Sequence, residues 1–476
     1  MLFNSWEFIL FFSGVFILYF SIPYKVRSLF LLIASYTFYM AWKWDYALIM
    51  IGVTFVNYFA GKEINKAIRK SHKQYWLFFA LSFSLIPLIY FKYANFFIEN
   101  VTVFTSYFEL NNNISPLQLI LPVGISFFTF QSLSYSLDVY NNKTTVENNF
   151  VNFAVFVAFF PQLVAGPIER STNLLSQFKE NHDFDSEKLV TGIQLFIWGL
   201  FKKVVIADRL SLYVDSVYGT PELHTGNTLT VATLFFAIQI YCDFSGYSDM
   251  AIGIARMLGF RLMQNFNLPY LASSIADFWK RWHISLSTWF ADYLYIPLGG
   301  NRVKYIRWIL NIFIVFLVSG FWHGAQWTFV IWGGLHALYY LFESWGDKFL
   351  KLISLNNIKN NTFYKVFKIL VVFIIVCYAW VFFRSNSVTD AFLITEKIFT
   401  DWGSLYRGSS TVTFVLSIFL ICLLFGVQLL QYFKIASIYF SKSKVYSSFQ
   451  FAWYVMLLLG ISTLGISSNA FIYFQF

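Results

Sequence analysis

The sequence predicts an all-α integral membrane protein that crosses the bilayer many times. Hydrophobic residues make up 58% of the 476-residue chain, charged residues make up 12%, and the mean hydropathy is +0.59. A typical soluble domain is only about half apolar and about a quarter charged. Several stretches without Asp, Glu, Lys or Arg exceed the roughly 20 residues that a helix needs to span the hydrocarbon core. We therefore expect about ten to twelve transmembrane helices, plus re-entrant or interfacial helices.

Basic loops predict the orientation of these spans. The connection at residues 62–73 carries Lys62, Lys66, Arg69, Lys70 and Lys73. Short loops rich in Lys and Arg stay in the cytoplasm, so this loop is predicted to be cytoplasmic and the N-terminus to lie outside. The basic connection at residues 348–368 is assigned to the same side, which places the C-terminus outside. The same rule accounts for the net charge of +10, which is therefore no indication of nucleic-acid binding.

We expect residues 1–476 to form one integral membrane unit, because no internal repeat and no soluble domain is found. In this interpretation a core at about 121–343 lies between peripheral helices at 1–110 and C-terminal helices at 344–476.

Two interruptions fall within that core. Prolines and a glycine break the segment at 159–170, which must be shielded from lipid because its backbone groups need partners. Residues 261–307 are too interrupted to span the membrane. They predict short re-entrant or interfacial helices, closed by a glycine turn at 297–302.

His323 lies within the longest uncharged run of the core. The run covers residues 308–342 and contains the sequence SGFWHG. As one straight helix it would be about 50 Å long, against roughly 30 Å of hydrocarbon. It should therefore break at Ser319–Gly320 or at Gly324, beside the histidine, and return as a hairpin. A titratable ring at a break in an apolar run predicts a functional site, with helix packing as the alternative.

These residue types suit acyl transfer from a thioester to a hydroxyl. That reaction needs a base for the hydroxyl proton, donors for the oxyanion, and exclusion of water. His323 is the candidate base, because a buried imidazole stays neutral. His283, in the charged aromatic segment DFWKRWHISLS at 277–287, is the candidate for orienting or polarising the reactants. The further candidates for the donor site or tunnel are Asp277, Lys280, Arg281, Trp282, Trp322 and Asp243.

Charged residues near this core have structural explanations as well. Lys280, Arg281, Arg302 and Lys304 suit the phosphate groups of a cytoplasmic acyl carrier, or are simply the basic residues of cytoplasmic loops. Asp243 and Asp249 lie in an apolar region and need Ser, His or basic partners across the bundle. A structural hydrogen-bond network is the alternative to catalysis for these two acids.

Other reaction classes lack the residues that they need. The sequence contains no GxSxG, HExxH, Walker A or GxGxxG segment. Its three cysteines, Cys242, Cys377 and Cys422, are scattered, so neither a disulfide framework nor a metal site is expected. We expect no tightly bound cofactor. A channel or transporter that uses the same buried polar groups stays open at this point.

Several motifs, in the same order along the chain, resemble the membrane-bound O-acyltransferases, and more narrowly the bacterial branch that O-acetylates alginate and peptidoglycan. They are FPQLVAGPI (160–168), YCDFSGYSD (241–249), DFWKRWHISLS (277–287), YIPLGG (295–300) and FWHG (321–324). The resemblance implies a funnel-like helical core in which His323 is catalytic and His283 supports it.

The same resemblance implies the route of the acyl group. The acyl group would be taken from acetyl-CoA or an acyl carrier protein in the cytoplasm. It would then cross the inner membrane of a bacterium through the protein, which lies among the membrane lipids. It would then reach an envelope polymer or an extracytoplasmic SGNH-type acetyltransferase partner. The alternatives are D-alanyl transfer to teichoic acids and, from another class of protein, a subunit of an envelope-polymer exporter.

The last residues, FIYFQF at 471–476, resemble the Tyr-Phe-x-Phe ending of envelope-acylating systems. The resemblance implies that Tyr473 carries the acyl group, since an aryl ester stays activated towards a second hydroxyl. The alternative is an aromatic anchor at the membrane interface.

Overall fold

A computed structural model describes residues 1–109, 115–164, 166–352, 361–433, 444–466 and 471. Within these ranges the regular elements are helices and no strand occurs, which confirms the predicted all-α class. The α-helices of these ranges are α1 (Trp6–Ser21), α2 (Tyr24–Met40), α3 (Ala47–Lys66), α4 (Lys70–Leu88), α5 (Ala94–Tyr107), α6 (Ile125–Tyr140), α7 (Phe150–Ala158), α8 (Phe160–Leu163), α9 (Ser186–Phe201), α10 (Asp208–Gly219), α11 (Gly226–Met257), α12 (Ile275–Arg281), α13 (Ile284–Phe290), α14 (Tyr305–His323), α15 (Trp327–Leu352), α16 (Thr362–Arg384), α17 (Val388–Thr400), α18 (Thr411–Tyr432) and α19 (Lys444–Leu464).

Tighter and wider helical turns join several of these helices. The 3₁₀ turns are Trp44–Tyr46, Pro221–Leu223 and Pro269–Leu271. The π-helical turns are Ile89–Tyr93, Ser171–Leu175, Lys202–Ala207 and Ala291–Tyr295.

The long apolar helices confirm a multi-pass membrane protein. Within the described residues, seven helical stretches are long and apolar enough to cross a membrane: Trp44–Lys66, Lys70–Tyr107, Ser186–Gly219, Gly226–Met257, Tyr305–His323, Thr362–Arg384 and Thr411–Tyr432. Three shorter apolar helices are Trp6–Ser21, Phe150–Leu163 and Gln450–Leu464. The expected number of about ten to twelve crossings stays a prediction.

The described chain forms two compact units. Unit 1 contains residues 1–196 and 250–263, and unit 2 contains residues 197–249 and 264–476. The prediction that the whole chain is one functional unit, with a core at about 121–343, stays a prediction.

In unit 1, three helices meet around a buried asparagine. Asn57 on α3 donates from Nδ2 to Oγ of Ser84 on α4 at 2.8 Å, and its Oδ1 accepts a hydrogen bond from Oγ of Ser136 on α6 at 2.7 Å. Gly61 lets α6 approach α3, because a Cβ there would lie 2.6 Å from Cε1 of Tyr135. Interhelical hydrogen bonds and small residues are the usual basis of helix association in membranes.

The proline-broken segment of unit 1 is shielded, as predicted. Residues 159–163 are buried. The N–H of Phe160 donates to Oγ of Ser35 at 3.1 Å, and the side-chain amide of Gln162 donates to the carbonyl oxygen of Phe156 at 3.0 Å. Polar groups around the break therefore have protein partners and avoid the hydrocarbon.

In unit 2, the uncharged run 308–342 forms the predicted hairpin. Helix α14 ends at His323 and is capped by Gly324, which is one of the two predicted break positions. Its 19 residues span about 28 Å, close to the roughly 30 Å of a bilayer core. Helix α15 begins at Trp327 and returns.

Two glycines allow α14 and α15 to pack closely. A Cβ on Gly320 would clash with the carbonyl oxygen of Phe329, and a Cβ on Gly333 would clash with that of Phe316. These pairs lie across an antiparallel contact, so each glycine lets the backbones of the two helices approach each other. The approach fixes the position of His323 at the tip of the hairpin.

Short helices fill the interrupted stretch of unit 2, as predicted. Between residues 264 and 304 the chain forms one 3₁₀ turn, helices α12 and α13, and one π-helical turn. Gly299 and Gly300 then make the predicted turn with φ values of +102° and +55°, a left-handed conformation that favours glycine.

Candidate active site

The two predicted histidines lie side by side in unit 2. The ring centroids of His283 and His323 are 6.4 Å apart, with their planes at 61°. Both side chains are buried, with relative exposures of 0% for His283 and 2% for His323. Helix α14 presents His323 at its last residue, and His283 precedes the first residue of α13. Two separate sequence motifs therefore form one buried histidine pair.

Aromatic rings surround His323. Its ring centroid lies 4.9 Å from that of Trp322, 5.1 Å from that of Trp332 and 5.4 Å from that of Phe383. The predicted residue Trp322 also lies 6.0 Å from His283, so it contacts both histidines. Such walls keep bulk water away from the imidazole, which is what transfer of an acyl group to a hydroxyl requires.

His283 adopts a backbone conformation that is uncommon for non-glycine residues. Its φ of +44° and ψ of +54° lie in the left-handed region. Asn265 holds the chain immediately after it: the N–H of Ile284 donates to the Asn265 carbonyl oxygen at 2.9 Å, and Oγ of Ser285 donates to Oδ1 of Asn265 at 2.6 Å. Non-glycine residues in this region cluster at functional sites, where surrounding contacts offset the strain.

The imidazole of His283 is neutral at neutral pH. Burial lowers the pKa of its ring to about 3. A neutral imidazole has one N–H donor and one acceptor nitrogen, so it can donate a hydrogen bond to a developing oxyanion without carrying charge. The ring of Phe244 packs edge-on against it at 4.6 Å.

We expect the His283→Asn variant to fold and to lose roughly a hundredfold in transfer rate, the typical effect of removing one oxyanion donor. Asparagine tolerates positive φ better than other non-glycine residues, so the backbone turn is preserved while the imidazole is removed. The measurement is ester-linked acetate per molecule of membrane-inserted protein. The wild-type rate in His283→Asn would exclude a chemical role for this ring.

A third buried histidine, His336, lies near the pair. Its relative exposure is 0%, and its ring stacks between those of Phe278 at 6.1 Å and Phe316 at 6.2 Å. Its ring centroid lies 4.9 Å from that of Trp332, which also contacts His323. Neither ring nitrogen of His336 has a hydrogen-bond partner among the described residues. Sequence analysis missed this residue, although it belongs to the same uncharged run as His323.

The remaining predicted residues around His283 occupy different environments. Asp277 and Arg281 form an ion pair of 2.8 Å on α12, with both side chains partly exposed. Lys280 is exposed. Trp282 is buried and stacks on Phe278 with a centroid distance of 5.6 Å. The cations of Lys280 and Arg281 therefore lie at the surface of α12, and the indole of Trp282 is buried beneath them.

The two acids of α11, the buried Asp243 and the partly exposed Asp249, have basic partners, as predicted. Lys203 lies 2.8 Å from Asp243 and 2.7 Å from Asp208, and all three side chains are buried. Lys202 donates to Asp249 at 2.8 Å and to Oγ of Ser245, also at 2.8 Å. The Lys203–Asp243 and Lys202–Asp249 contacts are ion pairs between the π-helical turn and α11, so Asp243 has a structural role whether or not it also serves the reaction.

The predicted acyl carrier Tyr473 lies outside the described residues. Phe471 is described and buried, with its ring centroid 4.8 Å from that of Tyr247 and 5.8 Å from that of Phe244. Within the described part of the chain, no group of three or more His, Cys, Asp or Glu side chains is placed to hold a metal ion.

Residues 144–388 match the sequence model of the membrane-bound O-acyltransferase family. The chain belongs to this family. The matched range covers more than half of the chain and includes His283, His323 and His336. The predicted class of enzyme, a membrane O-acyltransferase, is thereby confirmed.

Individual relatives agree with the family match. The chain is 41% identical over 403 residues to the probable alginate O-acetylase AlgI of Pseudomonas aeruginosa, covering 84% of this chain and 75% of that protein. It is 36% identical over 430 residues to the peptidoglycan O-acetyltransferase of Helicobacter pylori, covering 83% and 79%. It is 28% identical over 288 residues to the teichoic acid D-alanyltransferase of Bacillus subtilis, covering 57% and 70%. The predicted resemblance to the acetylating branch of the membrane-bound O-acyltransferases is confirmed.

Proposed function

We propose that this membrane-bound O-acyltransferase acetylates a polysaccharide of the bacterial cell envelope. In this proposal the acetyl group comes from a cytoplasmic thioester and crosses the inner membrane through the protein. The observation that carries the proposal is the buried pair of His283 and His323, enclosed by aromatic rings at the tip of a hairpin. The two relatives named for O-acetylation match 84% and 83% of the chain, against 57% for the D-alanyltransferase, which favours acetyl over D-alanyl transfer.

The chemistry that suits this pair is general-base acyl transfer. A ring nitrogen of His323 takes the proton of the attacking hydroxyl group while the oxygen of that hydroxyl bonds to the carbonyl carbon of the thioester. The neutral ring of His283, or an indole N–H such as that of Trp322, donates to the oxyanion. The C–S bond then breaks, and the thiolate leaves with the proton that the histidine had taken. An oxygen ester and a free thiol result.

Exposed cations support a donor site on the cytoplasmic side. Lys280, Arg302 and Lys304 are exposed, in a region that the loop charges assign to the cytoplasm. Their charge suits the phosphate groups of acetyl-CoA or of an acyl carrier protein, and the Asp277–Arg281 ion pair shapes the same entrance. In the proposal the core at about 121–343 works as one unit with the flanking helices.

We further propose that Tyr473 relays the acetyl group to an extracytoplasmic SGNH-type acetyltransferase or directly to the polymer. Phe471 packs against Phe244, and Phe244 packs against His283. Two residues span at most about 7 Å, so chain length permits the Tyr473 hydroxyl to reach the histidine pair. A tyrosyl ester formed there would stay reactive towards a sugar hydroxyl.

The proposed relay through Tyr473 predicts that polymer acetylation depends on a single hydroxyl group. The Tyr473→Phe variant should lose most of the polymer acetylation, because it removes one oxygen and leaves the ring. Tyr432→Phe, at an exposed tyrosine of α18, is the matched control and should keep full acetylation. The measurement is ester-linked acetate on purified polymer at equal protein level. Full acetylation by Tyr473→Phe would show that Tyr473 is only an interface anchor.

The proposed function itself is tested by comparing envelope polymers from cells that contain or lack this protein. Each polymer is isolated, and its ester-linked acetate and D-alanine are measured after mild alkali. Loss of acetate from one polymer would support the proposal and name the acceptor. Loss of D-alanine alone would favour the teichoic acid alternative, and unchanged esters with less exported polymer would favour the exporter. Inverted membrane vesicles supplied with radiolabelled acetyl-CoA or acetylated acyl carrier protein then identify the donor.

A further inference from the structure

A second polar cavity lies in unit 2, away from the histidine pair. Its volume is about 170 Å³, and its lining includes Arg209, Arg407, Tyr213, Tyr406, Ser409 and Thr413. No acidic residue is among the described residues that line it. The nearest acids along α10 are already paired, Asp208 with Lys203 and Asp215 with Arg384. The cavity therefore combines two cationic side chains with hydroxyl groups and no compensating carboxylate.

The two arginines are available to a ligand in different ways. Arg407 is exposed and forms no hydrogen bond or ion pair with any residue that the structure describes. Arg209 is anchored through Nη2, which donates to the carbonyl oxygen of Leu464 at 2.6 Å. Its Nε is buried and has no hydrogen-bond partner among the described residues. A buried polar atom left in this state costs free energy unless a ligand or water satisfies it.

Two tyrosines give the cavity a fixed aromatic wall. The rings of Tyr213 and Tyr406 stack at 6.0 Å with their planes at 23°. The Tyr213 hydroxyl donates to the Tyr406 carbonyl oxygen at 2.8 Å, and the Tyr406 N–H donates to Oγ1 of Thr228 at 3.0 Å. Gly408 then turns the chain with a φ of +74°, a conformation that glycine adopts without strain. The loop is therefore held in place before any ligand binds.

The cavity lies on the outer side in the predicted topology. Helix α16 follows the basic connection at 348–368, so the segment 385–410 at its other end is external.

Helix α11 contributes neighbouring residues to the cavity lining and to the packing around Phe383, which contacts His323. Phe235 lines the cavity, and its neighbour Phe236 lies 6.5 Å from Phe383. Phe383 in turn lies 5.4 Å from His323. Because the predicted topology places the segment 385–410 outside, the cavity lies on the side from which an envelope polymer would approach the site.

We infer that this cavity binds a carboxylate-bearing sugar residue of the acceptor polysaccharide, which makes it a binding site for a uronic acid polymer. The inference rests on the proposed function. A guanidinium group matches a carboxylate in geometry and charge, hydroxyl side chains match sugar hydroxyls, and the apolar face of a sugar ring packs on tyrosine. Pockets for whole drug-sized ligands hold roughly 300–1,000 Å³, so this smaller cavity holds one sugar residue of a chain that continues outside.

A lipid phosphate or a free phosphate ion shares the anionic chemistry. The stacked tyrosines favour a saccharide, because the apolar face of a sugar ring packs on an aromatic wall and a phosphate group has no such face. Two uncompensated positive charges would also attract a polyanionic chain over longer distances. These differences define the ligands that the test has to compare.

The test measures binding to the purified full-length protein in detergent by isothermal titration. The ligands are a uronic acid oligosaccharide, the same oligosaccharide with its carboxylates reduced to alcohols, and inorganic phosphate. We expect reduction of the carboxylates to weaken binding by about tenfold to a hundredfold, the effect of losing a charge-assisted hydrogen bond. The Arg407→Gln variant should show the same loss for the uronic acid ligand and no further loss for the reduced one.

Two controls make the result specific. Arg69→Gln changes an exposed arginine of the predicted cytoplasmic loop and should bind like wild type. Arg209→Lys keeps the charge but cannot form the same hydrogen bonds, and should weaken uronic acid binding while retaining the fold. Equal affinity for the charged and reduced oligosaccharides would overturn the inference. Phosphate binding as tight as that of the oligosaccharide would do the same, because it would indicate a simple anion or headgroup site.

This result is separable from the proposed function. Binding does not require transfer, so a protein with His323 replaced should still bind the uronic acid oligosaccharide. Failure of the inference appears as no uronic acid binding, or as binding that Arg407→Gln leaves unchanged, in a protein that still acetylates polymer. Failure of the proposed function appears as unchanged polymer acetate in cells that lack the protein.

Discussion

Replacing His323 with alanine should reduce O-acetylation by about a hundredfold to ten-thousandfold, the usual contribution of a general base. The imidazole is buried, surrounded by the rings of Trp322, Trp332 and Phe383, and 6.4 Å from His283. No other described feature of the hairpin tip brings two imidazoles together. The backbone at this position only ends a helix, so we expect the protein to insert and fold.

The measurement is ester-linked acetate on the isolated acceptor polymer, divided by the amount of membrane-inserted protein. His323→Gln is a second variant that keeps side-chain volume and hydrogen bonding but lacks a basic nitrogen, and should be as inactive as alanine. His72→Ala is the matched control, because His72 is exposed on α4 outside the site. Wild-type acetylation by both His323 variants at normal protein level would contradict the assignment of the base.

The local features of this fold were predictable from local sequence. The uncharged run 308–342 was too long for one span, and the chain breaks at Gly324, where a Cβ would clash with the ring of Phe329. The basic partners of Asp243 and Asp249 were also predictable in kind, because a carboxylate buried in hydrocarbon needs a hydrogen-bonding or charged partner.

The site depended on contacts that composition does not encode. The sequence indicated two separate histidine motifs, but their contact needs the fold of α12 to α14. The left-handed turn at His283 gave no signal, since only a few per cent of non-glycine residues adopt positive φ and the residue type alone does not select this position. His336 was missed because a histidine on an uninterrupted helix resembles a packing residue. Only its position beside Trp332 relates it to His323.

The cavity lined by Arg209 and Arg407 could not be predicted from local sequence either. Its two arginines are far apart in sequence, on α10 and in the loop before α18, and each alone resembles an ordinary residue at a membrane boundary. The structure adds the stacked tyrosines and the unsatisfied Nε atom. Charge patterning thus predicts which side of the membrane a loop occupies, whereas convergence of charges on one cavity requires the tertiary fold.

The Lys203→Met variant should be destabilised by about 3–5 kcal/mol, the usual cost of removing one partner of a buried ion pair. Lys203 lies 2.7 Å from Asp208 and 2.8 Å from Asp243, and the side-chain exposures are 4%, 2% and 4%. Methionine preserves much of the side-chain length but none of the charge. Two carboxylates would then remain buried without this cation, at a depth where water cannot replace it.

The free energy of unfolding is measured on the purified protein in mixed micelles, by the loss of helical circular dichroism as the denaturing detergent increases. Lys188→Met is the matched control, because Lys188 pairs with Asp185 at 3.7 Å with both side chains well exposed, and surface pairs contribute only about 0–1 kcal/mol. Adding Asp208→Asn and Asp243→Asn to Lys203→Met should recover much of the loss, since it removes the stranded charges. If Lys203→Met and Lys188→Met lowered the free energy of unfolding by the same small amount, the prediction would be wrong. Such a result would mean that water reaches Lys203, Asp208 and Asp243 and solvates their charges.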